Sequence, residues 1–185
     1  RSIMLNLLSL FLKSLLNFRL LRFNFLPLKN VDLIIYGHSH INFIFIKYLK
    51  SKKYKIIERE KIELNIFVLV KYLFSKDPDY TYLDYLIFKI NLINPQITIS
   101  SFDNDPYYWK IADKLKCKTI LIQNGWRTIQ NDIFENLKKP KKKFHIDYIC
   151  LWSEIYNSLY GKFLTGKFII TGSIKNNFFK KNKTK

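Results

Sequence analysis

The chain of 185 residues has few of the residues that cross-link small proteins. Cys117 and Cys150 are its only cysteines, and it contains three histidines. Two cysteines at this separation exclude a disulfide-rich secreted scaffold and a four-cysteine zinc site. Because both lie in apolar runs, we expect buried free thiols in a reducing compartment. A chain of this length buries about 70% of its unfolded surface, so it folds without such cross-links.

Acidic residues and arginine are also scarce. There are 14 Asp and Glu against 32 Lys and Arg, which gives a formal net charge of +18. Nearly all the basic residues are lysines, whereas nucleic-acid readers favour arginine, whose planar fork matches phosphates and guanine edges. We therefore expect no specific nucleic-acid binding. An anionic membrane surface or an anionic substrate fits the charge at least as well.

The apolar N-terminal stretch from Ile3 to Leu26 lacks the long uncharged run of a membrane-spanning helix. Four polar residues interrupt it, at Asn6, Ser9, Lys13 and Asn17. It also lacks a small-residue cleavage site, so it does not have the form of a signal peptide. Residues 1–30 are predicted to form an amphipathic helical arm, either packed on the domain or lying on the inner face of the cell membrane. We expect a cytoplasmic location.

Short apolar runs alternate with segments of helical periodicity over residues 31–174. The predicted strands are Val31–Tyr36, Tyr54–Ile57, Gln96–Ser100, Lys118–Gln123, Ile146–Trp152 and Lys167–Thr171. The predicted helices are Ser39–Lys50, Leu64–Phe74, Tyr80–Ile93, one from Pro106 to about Lys116, and Ser153–Tyr160. This alternation implies right-handed crossovers and a parallel sheet covered on both faces. We predict an α/β fold, a doubly wound Rossmann-like sheet of five to six strands, followed by a basic tail or linker over residues 175–185.

Polar residues follow five of these strands, and the carboxyl ends of parallel strands are where such sheets bind ligands. The clusters are Gly37-His38-Ser39-His40, Ser100-Ser101-Phe102-Asp103-Asn104-Asp105, Gln123-Asn124-Gly125-Trp126-Arg127, Trp152-Ser153-Glu154 and Gly172-Ser173. A guanidinium at Arg127 suits a phosphate or carboxylate, and Gly125 allows a backbone to approach a ligand. The substrate-binding candidates are His40, Asn104, Gln123, Asn124, Gly125, Arg127, Gly172 and Ser173.

The first cluster leaves several interpretations open. Gly37-His38-Ser39-His40 has the form of a metallophosphoesterase motif, but that fold needs further metal ligands that three histidines do not supply, so we expect no metal site. Gly37 could instead make a turn while Ser39 or His40 caps the next helix. Alternatively, a histidine acts as general base or contacts a phosphate. No dinucleotide-binding glycine pattern, Walker sequence or nucleophile elbow is present in the chain.

Three segments together carry a resemblance to a known family. They are Asn94-Pro95 with residues 97–104, residues 122–127, and residues 170–173, and they resemble bacterial surface carbohydrate biosynthesis proteins. Those proteins are similar to GT-B-type transferases, akin to the glycosyl- and glycerophosphotransferases of capsule and teichoic acid synthesis. The Asp103-Asn104 and Gln123-Asn124-Gly125-x-Arg127 pieces are its most specific parts, and the resemblance extends from about residue 31 to 177.

The resemblance implies that this chain is the N-terminal, acceptor-side half of a two-domain transferase. A glycan or lipid-linked molecule would be the acceptor, and the nucleotide-activated donor would bind the other half, so no cofactor is expected in this chain. It further implies a general base beside the acceptor hydroxyl, with Asp103 and His38 as alternatives, and Arg127 against an anionic group. The alternatives are a non-catalytic membrane- or nucleic-acid-associated module and a metallophosphoesterase-like hydrolase.

The apolar arm and its neighbouring Arg19, Arg22 and Lys29 predict peripheral binding to an anionic membrane. The chain should co-sediment with anionic liposomes, less with neutral ones, and deletion of residues 1–26 should reduce the bound fraction. Equal binding to both kinds of vesicle, or no loss on deletion, would contradict this prediction.

Overall fold

A computed structural model describes residues 9, 21–37, 49, 52–75, 81–128, 133–137 and 140–173. Its strands are β1 (Leu21–Asn24), β2 (Leu33–Gly37), β3 (Tyr54–Glu58), β4 (Ile62–Asn65), β5 (Ile97–Ser100), β6 (Lys118–Ile122), β7 (Phe144–Leu151) and β8 (Leu164–Ile170). Six of them form one sheet in the order β3-β2-β5-β6-β7-β8, with every neighbouring pair parallel. The predicted α/β, Rossmann-like sheet of six strands is confirmed.

The central strand β2 is continuously apolar because both faces of the sheet are covered there, whereas the edge strands β3 and β8 are partly exposed. On β2, Ile34 and Tyr36 join the larger core cluster, while Leu33 and Ile35 face a second cluster on the opposite side. All five residues of this strand are buried. This is the burial expected of a central parallel strand, and it explains why the sequence shows an unbroken apolar run there.

The helices begin where the sequence places a capping side chain. They are α1 (Ile66–Leu73), α2 (Tyr82–Ile93), α3 (Pro106–Ala112), α4 (Ile133–Asn136) and α5 (Asn157–Tyr160), with a 3-10 turn at Glu154–Tyr156. Asn65, Thr81 and Asp105 each accept a hydrogen bond from a backbone N–H in the first turn of α1, α2 and α3. Pro106 occupies the first turn of α3, as the sequence predicted.

One predicted helix is partly wrong. The arm was expected to be helical to residue 30, but Leu21–Asn24 is strand β1 and pairs in parallel with β4. The pairing depends on tertiary contacts that periodicity does not reveal: the Asn24 amide donates to Glu63 (3.2 Å), and the buried Asn65 amide donates to the Leu26 carbonyl (2.7 Å). Short apolar runs do not distinguish helix from strand.

Other predicted segments fall outside the described residues. These are most of the arm before residue 21, most of the predicted helix Ser39–Lys50, and the tail over residues 175–185. In the part of the chain that the structure describes, none of the helices has the length and apolar character needed to cross a membrane.

A buried lysine joins the two-stranded β1–β4 pair to α2. The Lys89 ammonium donates to the Glu63 carbonyl oxygen (3.2 Å) and lies 3.4 Å from the Glu63 carboxylate, which also pairs with Lys55 at 3.2 Å. The Lys89 side chain is almost completely buried. Burial lowers the pKa of Lys89 to about 8, and the Glu63 carboxylate offsets only part of this effect.

Lys89 should therefore make stability rise with pH between about 8 and 10.5, its folded and unfolded pKa values. In this window the unfolded chain binds more protons than the folded chain, so raising the pH favours folding. We subtract the free energy of unfolding of Lys89→Met from that of the wild type. This difference should increase by about 1–3 kcal/mol from pH 7 to pH 10. Titration of tyrosines and thiols is common to both proteins and cancels in this difference.

The exposed Lys114→Met is the matched control, and its difference from wild type should stay constant over the same pH range. Urea denaturation at each pH measures all three proteins. A constant difference between wild type and Lys89→Met would contradict the lowered pKa.

Candidate functional site

The candidate site lies where the direction of the chain reverses across the sheet. From β2 the chain adds β3 on one side and β5 on the other, so the crevice beyond the ends of β2 and β5 is the topological switch point. Gly37 ends β2 with φ +151°, and a Cβ there would lie 3.2 Å from the Phe102 ring. Glycine thus lets the loop after β5 close against the end of β2.

A buried carboxylate organises that loop. Asp103 is fully buried and accepts two hydrogen bonds from the Arg127 guanidinium, from Nε to Oδ2 and from Nη2 to Oδ1, both 2.6 Å long. The backbone N–H of Asn124 donates to Oδ1 (3.1 Å), and the Tyr160 hydroxyl donates to Oδ2 in a short hydrogen bond. Two donors on each oxygen satisfy the buried charge.

Tyr160 acts as a permanent donor to this carboxylate. Burial, together with the adjacent Asp103 charge, raises the pKa of Tyr160 well above its ordinary value. The hydroxyl therefore stays protonated throughout the physiological range. The main chain is fixed as well, since the indole N–H of Trp109 donates to the Asp103 carbonyl oxygen (3.1 Å). The end of β5 is thus held by α3, α5 and the loop after β6.

Gln123 shapes the loop after β6 from inside the protein. Its buried amide donates to the Gly125 carbonyl (2.9 Å) and accepts from the backbone N–H of Trp152 (2.9 Å). The Trp152 indole N–H also donates to the Gln123 carbonyl (2.9 Å). The side chain of Gln123 therefore joins the ends of β6 and β7. Its hydrogen bonds give it a positioning role at the site.

Three other side chains at this edge are accessible. Within the described residues, the amides of Asn104 and Asn124 have no intramolecular hydrogen-bond partner, and both residues are partly exposed. Trp126 is 69% exposed, and its ring meets the Tyr156 ring edge to face at 6.2 Å. Together they offer two amides and a flat apolar surface beside the Arg127 guanidinium.

A second carboxylate and arginine pair lies two residues further along. Asp105 is buried, caps α3 through the N–H of Tyr107 (3.1 Å), and has its other oxygen 3.2 Å from Arg59 Nε. The Arg59 guanidinium also lies over the Phe102 ring, 5.7 Å from its centre. Burial and the nearby Asp105 charge raise the pKa of Tyr36, the penultimate residue of β2.

The other residues predicted for the site do not lie beside the Asp103–Arg127 pair in the described part of the chain. His38 and His40 lie outside the described residues. Gly172 and Ser173 follow β8, three strands from β5, which places them roughly 14 Å across the sheet at the usual strand spacing. Among the described residues, no cluster of three His, Cys, Asp or Glu side chains is suited to hold a metal ion.

Sequence reasoning missed Tyr160, which completes the Asp103 cluster, and Arg59, which pairs with Asp105. Tyr160 is 57 positions from Asp103 and ends a helix whose apolar pattern gives no hint of a polar contact. Arg59 follows a short strand without any distinctive motif. The only available signal was the rarity of arginine in a lysine-rich chain.

The fold and this edge define a Rossmann-like α/β domain with an anchored arginine beyond the carboxyl ends of its strands. Residues 120–185, about a third of the chain, match the model of a family described as an O-antigen biosynthesis protein. The matched segment contains the loop from Gln123 to Arg127 and the helix that provides Tyr160. No curated protein and no solved structure matches the chain. The family match links the chain to surface polysaccharide biosynthesis.

The hydrogen bonds of Asp103 predict a large stability loss in Asp103→Ala. The change leaves the Arg127 guanidinium, the Tyr160 hydroxyl and a backbone N–H without their acceptor, at an expected cost of about 3–5 kcal/mol. Tyr160→Phe removes one hydrogen bond to a charged group and should cost about 1.5–3 kcal/mol. Urea denaturation measures both.

The control is Glu154→Ala, an exposed carboxylate after β7 at the same edge, which should change stability by less than about 0.5 kcal/mol. If Asp103→Ala is no more destabilising than Glu154→Ala, the carboxylate does not organise the loops.

Proposed function

We propose that this chain is the acceptor-side domain of a glycosyltransferase-like enzyme of surface polysaccharide biosynthesis. A glycan or lipid-linked acceptor would bind beyond the carboxyl ends of the strands of its sheet. The observation that carries the proposal is the loop from Gln123 to Arg127, which follows β6 and is anchored through Arg127 to Asp103 beside the switch point of the sheet. That loop belongs to the segment that matches the O-antigen biosynthesis family. The nucleotide-activated donor would bind a second domain of the enzyme.

Arg127 supports the proposal because its guanidinium is already oriented. Asp103 holds Nε and Nη2, and the side chain remains 14% exposed. Nη1 also donates to the Trp126 carbonyl oxygen (3.4 Å), so a phosphate or carboxylate would meet a guanidinium whose orientation is already fixed, with little further loss of conformational freedom. Since Asp103 neutralises its charge locally, Arg127 contributes direction more than net charge. The overall charge of +18 supplies the long-range attraction for an anionic acceptor.

The accessible side chains around Arg127 suit a sugar. The amides of Asn104 and Asn124 can both donate and accept hydrogen bonds, and each sugar hydroxyl does the same. The exposed Trp126 ring provides a flat apolar surface on which the C–H face of a sugar ring can pack. These contacts combine few polar groups with one aromatic surface, as ordinary small-molecule sites do.

The hydrogen bonds of Asp103 favour the other of the two candidate bases. Asp103 accepts four hydrogen bonds, so protonating it would break its pair with Arg127 and leave a guanidinium without its counter-charge. We therefore assign Asp103 a positioning role. His38 directly follows Gly37 at the end of β2, and we propose it as the general base, since imidazole titrates near neutral pH.

The proposal predicts that Asn104 and Asn124 serve binding without serving stability. A double replacement by alanine should change the free energy of unfolding by less than about 0.5 kcal/mol per site, because neither amide has an intramolecular partner. It should lower acceptor glycosylation about five- to 150-fold, the loss expected from two hydrogen bonds of ordinary strength. Membranes from a deletion strain complemented with each variant are given labelled nucleotide sugars, and initial incorporation into lipid-linked material is measured.

Asn157→Ala, at an exposed asparagine that begins α5, is the matched control and should leave incorporation unchanged. Wild-type incorporation by the folded double variant would sink the proposed acceptor site. Absence of any defect in the deletion strain would sink the role in polysaccharide synthesis.

A further inference from the structure

A second cleft opens beside the Asp105–Arg59 pair. It has a volume of about 360 Å³ and lies between the end of β2, the residue after β3, and the first turns of α2 and α3. Its lining is mostly aromatic and aliphatic, with Tyr36, Tyr82, Tyr107, Leu83 and Leu86 around the Arg59 guanidinium. None of these residues belongs to the Arg127 loop. The volume is within the range of small-molecule sites.

We propose that this cleft binds a phosphate monoester of a molecule that contains a ring. Arg59 would contact the phosphate, and the tyrosine side chains would contact the ring of the ligand. Phosphorylated sugars and nucleoside monophosphates share this chemistry. The proposal is independent of the proposed acceptor site and holds whatever reaction the full enzyme performs.

Arg59 is fixed in a position from which it can recognise an anion. Its Nε is 3.2 Å from the buried Asp105, and its backbone N–H donates to the Gly37 carbonyl (3.3 Å). Asp105 cannot turn away, because its other oxygen caps α3. The Arg59 side chain is still 41% exposed, and it forms part of the lining of the cleft. A planar fork held in this way suits a phosphate.

The aromatic walls are equally fixed. The Tyr82 hydroxyl donates to the Lys61 carbonyl (3.3 Å), and the Tyr36 ring stacks on Tyr108 with 5.5 Å between centres. Because the Tyr82 hydroxyl is engaged elsewhere and the Tyr36 ring is held by stacking, these two residues offer ring surface to the cleft. Tyr107 is 56% exposed at the rim. Ring surface around one guanidinium selects a ligand that carries a ring and one anionic group.

Amide NMR titration of the folded chain tests this inference with four probes: inorganic phosphate, glucose, glucose 1-phosphate and uridine monophosphate. At least one of the two ring phosphates should shift the amides of Tyr36, Arg59, Tyr82 and Tyr107 and bind at least tenfold more tightly than phosphate or glucose. Whichever ring phosphate binds more tightly identifies the source of the ligand. Equal affinity for inorganic phosphate, or no binding of either ring phosphate, overturns the proposal.

Variants locate the site. Arg59→Gln should weaken the ring phosphate at least tenfold, Arg59→Lys should weaken it less, and Tyr107→Ala, which removes an exposed ring, should weaken it about fivefold or more. Lys167→Gln, an exposed residue on β8 four strands from β2, should bind like wild type. The Asn104→Ala, Asn124→Ala double variant should also bind normally, which separates this cleft from the acceptor site. Unchanged binding in both folded Arg59→Lys and Tyr107→Ala overturns the assignment, as does a shift pattern confined to residues 123–127.

Discussion

The arrangement of the loops at the carboxyl ends of the strands depends on the burial of one carboxylate. A fully buried charge is tolerated only when hydrogen-bond donors surround it, and Asp103 draws its four from Arg127, Asn124 and Tyr160. These donors come from the loop after β6 and from α5. The need to satisfy a single side chain therefore fixes three separate parts of the chain relative to one another, and with them the positions of Asn104, Asn124 and Trp126.

The segment after β5 contains two buried carboxylates, and each of them holds one arginine. Asp103 holds Arg127 on one side and Asp105 holds Arg59 on the other, while Asn104 between them keeps its amide unpaired among the described residues. Although the chain carries a net charge of +18, the two arginines at this edge are thus locally neutralised. Under the proposed function, recognition at the edge would depend on the direction of hydrogen bonds and on aromatic surface, and the lysine-rich exterior would contribute attraction at longer range.

The sequence predicted the sheet well because burial on both faces leaves a strong signal. The central strands β2 and β6 contain short apolar runs, at residues 33–36 and 120–122, and each of the six strands begins within three residues of its predicted start. Strands β1 and β4 were not foreseen, since their pairing depends on Glu63, Asn65 and other contacts distant in sequence. At the site, strand ends pointed to Asp103 and Arg127 but could not show that Gln123 turns inward or that Tyr160 completes the cluster. Those features depend on packing between elements, which periodicity does not encode.

The segment that matches the family contains the hydrogen-bond donors of the Asp103 cluster but not Asp103 itself. Residues 120–185 contain Arg127, Asn124 and Tyr160, the donors, whereas Asp103, the acceptor, precedes the matched segment. These buried donors destabilise the fold if no carboxylate accepts their hydrogen bonds. A buried guanidinium that lacks its partner costs several kcal/mol. We therefore expect a relative that keeps this arginine and tyrosine to supply a carboxylate from the loop after the preceding strand. A relative that lacks the carboxylate should have replaced both donors together.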